Sequence, residues 1–79
     1  MLNDILENYP DEQFLIADGF DDAIIGLEDY SQRLIYSMKE CLRILEQDMT
    51  AEEALEHFDY NVRGEYVGEQ TPIWCNDLM

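Results

Sequence analysis

The longest uninterrupted apolar stretch in this chain, Ala23-Ile24-Ile25-Gly26-Leu27, is five residues long. That limit is far below the ~18 apolar residues of a membrane span, and it restricts any strand to a few residues. Two similar runs flank it. Phe14-Leu15-Ile16-Ala17 stops at Asp18-Gly19, a dipeptide that favours tight turns. Arg33-Leu34-Ile35-Tyr36 follows the polar segment Glu28-Asp29-Tyr30-Ser31-Gln32. Three short runs divided by turns predict an antiparallel meander. Ile73-Trp74-Cys75, after Thr71-Pro72, would add an edge strand.

Helical spacing governs the rest. Leu2, Ile5, Leu6 and Tyr9 share one side of a short helix that Pro10 ends. Ser37-Met38-Lys39-Glu40 and Thr50-Ala51-Glu52-Glu53 both have a hydroxyl followed three residues later by an acid, the pattern of a capping box. Behind the first, Met38, Cys41, Leu42, Leu45 and Met49 form an apolar stripe. Behind the second, Ala51, Ala54, Leu55, Phe58 and Val62 do the same. Gly64 stands where a helix C-terminal glycine belongs. Residues 1–79 therefore predict one small α+β domain: an antiparallel sheet of three or four strands packed by a helical hairpin.

Charge narrows the function classes. Nineteen Asp and Glu face four Lys and Arg, a formal net charge of −15. Such a chain does not bind nucleic acid through its own charge, and anionic lipid headgroups repel it. At 47% apolar it is not disordered by composition, and two distant cysteines do not make a disulfide scaffold. No basic stretch follows Met1, so a soluble cytoplasmic protein with reduced thiols is expected. Self-repulsion at −15 opposes compaction. The chain either gains stability elsewhere, as a homodimer or from salt, or needs the charge.

Three groups of residues are candidates for function. Asp18, Asp21 and Asp22 put three carboxylates in five residues beside Gly19. They could hold a hard cation, but the segment lacks the twelve-residue calcium-loop spacing, and Asp and Gly are ordinary turn formers. A turn is the stronger reading, a partner-contact loop the next, and no metal site is assigned. Glu52, Glu53, Glu56 and Asp59 form an acidic row at helical spacing. Neighbours on such a row lie ~6 Å apart, on the scale of the several-ångström repeat of nucleic-acid phosphates. The row could stand in for phosphates before a basic groove, or it could be a solvated face. The aromatic and glycine tail, Tyr60-Asn61, Tyr66, Gly68-Glu69, Thr71-Pro72 and Trp74, could anchor a protein contact through exposed Tyr and Trp or close the core, with closure the stronger reading for Phe58 and Tyr66. His57 is the only histidine and has no partners for a zinc site. Cys41 lies on a core stripe, and nothing basic flanks Cys75. No catalytic residue and no cofactor are assigned.

Two segments carry a resemblance. DGFDDAIIGL from Asp18 to Leu27, and DMTAEEALEHFDYNVRGEYVGEQTPIW from Asp48 to Trp74, resemble small acidic uncharacterised bacteriophage proteins with DGxDDA and GEQTP segments. The likeness covers most of the chain and departs at the N-terminus and at residues 76–79. It implies a phage or prophage accessory protein in the host cytoplasm and carries no activity or catalytic residues. The functional expectation is a binding protein that meets a host protein with a basic surface. It would be a nucleic-acid mimic inhibiting a host nucleic-acid enzyme or defence complex. The alternatives are a small carboxylate metal-binding protein or enzyme, resting on Asp18, Asp21 and Asp22 with Glu65 or Glu69, and a structural homodimeric adaptor.

Overall fold

The computed structural model describes residues 1–12, 14–63, 68 and 70–78. Helix α1 spans Leu2–Asn8. Strands β1 (Ile24–Glu28) and β2 (Arg33–Ser37) follow, then helices α2 (Met38–Leu45) and α3 (Ala51–Phe58), and finally strand β3 (Ile73–Cys75). A 3-10 turn, Asp21–Ala23, leads into β1, and a π-helical turn, Asp59–Arg63, leaves α3. The domain is α+β, as its run pattern predicts. The Gly64, Glu65, Tyr66 and Glu69 positions lie outside the described residues.

The sheet has the order β1-β2-β3 and is mixed. β1 and β2 form the expected antiparallel hairpin, with Gly26 opposite Ile35, Leu27 opposite Leu34 and Glu28 opposite Arg33. The register shifts between Ile24 and Gly26, which places a bulge at the entry of β1. β3 runs parallel to β2, with Ile35 beside Ile73, Tyr36 beside Trp74 and Ser37 beside Cys75. This corrects the fully antiparallel expectation. A parallel neighbour needs a crossover of a dozen or more residues, and α2 and α3 lie within that crossover.

A second correction concerns Phe14-Leu15-Ile16-Ala17, which is not a strand. It is irregular backbone, and the Ala17 N–H donates to the Tyr36 hydroxyl at 2.8 Å instead of to a strand ladder. Leu15 and Ile16 stay exposed, at 37% and 44%.

Both helix starts carry the hydroxyl cap that their sequences predict, but the reciprocal box closes only at Thr50, and the Glu40 carboxylate pairs with Arg43 instead. Ser37 Oγ accepts the Glu40 N–H at 3.1 Å. Thr50 and Glu53 complete a reciprocal capping box, each side chain accepting the other's backbone N–H at 3.2 Å. α2 touches β2, the 3-10 turn and α3. α3 reaches the sheet through Phe58, whose ring meets Trp74 edge-on at 5.3 Å; Trp74 in turn lies 5.0 Å from the Tyr36 ring. These three aromatics, with Leu34, Met38 and Cys41, hold the centre of the core. The Arg33 guanidinium donates to the Thr71 carbonyl, and Thr71 turns back on Gly68 through its N–H and hydroxyl. Thr71 and Gly68 are thereby tied to the start of β2.

Candidate binding surface

The register of α3 sorts its side chains. Ala54 and Phe58 point inward and are fully buried, which turns Glu52, Glu53, Glu56 and His57 to solvent. Glu53 also closes the capping box, so its carboxylate is held at the first turn. Glu52 and Glu53 suit the positive end of the helix dipole. Asp59 departs from this row in burial. It opens the π-helical turn, sits half-buried, and has one carboxylate oxygen shut off from solvent. Its backbone stays α-helical, with its N–H bonded to the Leu55 carbonyl, so it keeps the spacing of Glu52 and Glu56 but is less exposed than they are.

Beside the row lies a shallow, open cleft of about 460 Å³, lined by Met49, Glu53, Glu56, His57, Tyr60 and Asn61. Tyr60 is 82% exposed. Asn61 Nδ2 lies 3.4 Å from His57 Nδ1, one helical turn away. Asn61 also lines a second groove of about 300 Å³. The apolar wall of that groove is Leu15, Ile16, Phe20, Val62, Pro72 and Trp74, and Asp18 stands on its margin. The acidic face of α3 and the apolar groove therefore meet at Asn61.

Asp18, Asp21 and Asp22 are all exposed. Asp18-Gly19 forms a turn in which Gly19 takes a φ of +89°, a left-handed conformation that a side chain resists. The Phe20 N–H returns to the Ala17 carbonyl at 3.2 Å, closing it. Among the described residues no three His, Cys, Asp or Glu side chains are grouped to hold a metal ion. Glu65 and Glu69, the partners named for such a site, lie outside those residues.

Trp74 is half-buried rather than an exposed anchor. Its ring lines the groove, and its indole Nε1 is shut off from solvent with no acceptor among the described residues. Both cysteines are free. Burial pushes the Cys41 thiol up to about 12, and the nearby Asp77 charge adds to the effect. Cys41 is therefore an inert core thiol.

Sequence reasoning did not single out Leu15 and Ile16 as surface, whereas Tyr60 and Asn61 belong to its aromatic tail candidate, and both are exposed. An apolar run that precedes Asp-Gly without alternation was the available signal for the first two, because it fits neither strand face nor helix stripe. No family model matches the chain, and no curated protein or solved structure matches it significantly. Among the described residues no helix is long and apolar enough to cross a membrane.

Proposed function

We propose that this chain is a non-enzymatic binding protein whose acidic surface occupies a basic, nucleic-acid-binding site on another protein. The reading is that of a phage accessory protein acting as a nucleic-acid mimic in its host's cytoplasm. The observation that carries it is the set of carboxylates on one exposed helix face: Glu52, Glu53 and Glu56, with only His57 as a basic neighbour on α3. No lysine or arginine interrupts that helix. Of the four cationic residues in the chain, Arg43 pairs with Glu40 at 3.3 Å and Arg33 is engaged with the Thr71 carbonyl. A surface of one sign steers a basic partner and rejects nucleic acid and like-charged proteins.

The test is an affinity capture from bacterial lysate on the immobilised chain, eluted with a salt gradient and read by mass spectrometry. A retained protein with a basic nucleic-acid groove, released by moderate salt, supports the reading. A retained protein whose release is insensitive to salt contradicts it.

A further inference from the structure

The apolar groove beside the acidic face has no role in a purely electrostatic account. Leu15 and Ile16 are adjacent, exposed and fixed in place, because the next residue, Ala17, is bonded to the buried Tyr36 hydroxyl. Val62, Pro72 and the Trp74 ring line the same groove. The opening, about 300 Å³, is at the small end of ligand pockets and has room for one large side chain rather than a cofactor. One carboxylate lines it and others lie near it. Asp18 is on its rim with exposed Asp21 and Asp22 just beyond, and Glu53 and Glu56 line the cleft that shares Asn61 with it.

We infer that this groove docks one apolar side chain, aliphatic or aromatic, carried on a lysine- and arginine-rich segment of the partner protein. The inference rests on the acidic-surface reading above and specifies the short-range contact within it. Charge selects the occupant. A second copy of this chain would bring another −15 to a groove that already has carboxylates near it. An anionic lipid or nucleotide would meet the same repulsion. A basic segment is drawn to these carboxylates, and its apolar residue is then delivered to the adjoining groove. The arrangement is a hydrophobic centre with charge beside it, the usual anatomy of a specific contact.

The probes are three synthetic nine-residue peptides of lysine, arginine and serine, identical except for leucine, phenylalanine or serine at the centre. Affinity is measured by calorimetry at low salt, and the groove is followed through Trp74, the only tryptophan, by its indole N–H resonance. The leucine or phenylalanine peptide should bind about tenfold tighter than the serine peptide, the scale set by burying one such side chain. Only the apolar-centred peptides should move the indole resonance. In the double variant L15S/I16S the advantage should vanish while the salt-dependent binding common to all three remains. Both substituted positions are exposed, so the fold should survive. Equal affinity for all three peptides, with salt-dependent binding and a stationary indole, would overturn the groove and leave the acidic reading intact. Failure of every peptide to bind at low salt would overturn both.

Discussion

The backbone N–H of Ala17 donates to the phenolic oxygen of Tyr36 at 2.8 Å, joining two residues 19 apart in sequence. Tyr36 is fully buried at the centre of β2. Its hydroxyl is the anchor that holds the irregular segment carrying Leu15 and Ile16 against the sheet. Tyr36→Phe keeps the ring and its contact with Trp74 but leaves the Ala17 N–H without that acceptor. The expected loss is about 1–3 kcal/mol in urea unfolding, together with faster amide exchange across 15–17. An unchanged midpoint would show that the segment is held by other means. Burial also raises the Tyr36 hydroxyl above the ordinary tyrosine value of 10.0. The folded state therefore keeps its proton where the unfolded chain loses it. This contribution is complete below pH 10 and disappears as pH rises through the folded value.

Asp77 links the C-terminal segment to the start of α2. One carboxylate oxygen accepts the Ser37 hydroxyl, and the other accepts the Lys39 N–H at 2.9 Å. The Ser37 hydroxyl bond comes first among the causes that hold the Asp77 carboxyl below its usual range. Its folded value is depressed, so its stabilisation is present above the unfolded value of about 3.9 and is lost as pH falls below that. Relief of self-repulsion works in the opposite direction as pH falls toward the pI of about 4.1. Asp77→Ala should lower the melting temperature at pH 7, and the difference from wild type should shrink below pH 4. A difference that stays constant to pH 2 would rule out the carboxylate bonds as its source.

The two thiols should separate by reactivity. Cys41 is fully buried and its thiol is pushed up to about 12, so it carries almost no thiolate at neutral pH. Cys75, half-buried on β3, is open to reagent in part. A thiol reagent at pH 8 should modify one cysteine in the native protein and both in denaturant, and a Cys75→Ser variant should be silent until unfolded. Equal native rates for the two would contradict the packing of α2 on β2.

What could be read in advance was local. Thr50 and Glu53 are three residues apart, so their capping box was visible in four letters. The β1–β2 hairpin is joined by a four-residue turn and was visible for the same reason. The parallel pairing of Tyr36 with Trp74 was not, because it depends on where a two-helix crossover returns the chain. Phe14–Ala17 has the apolarity of a strand, but the Ala17 N–H is satisfied by the Tyr36 side chain of β2, a partner that no local pattern encodes. Asp59 keeps the α-helical spacing of Glu52 and Glu56, but its half-burial where the π-helical turn opens comes from tertiary packing, which spacing alone does not encode. Asp77 resembled a polar tail residue because its partners, Ser37 and Lys39, lie about forty positions away.

The central claim is that the exposed carboxylates of α3 occupy a nucleic-acid site. The most direct measurement is displacement of the captured partner from the immobilised chain by duplex DNA, run beside the charge-reversed variant E52K/E53K/E56K. The account expects DNA to release the partner from the wild-type chain, and expects the variant to retain little of it at any salt concentration. A partner held equally by both chains and indifferent to DNA would contradict the claim.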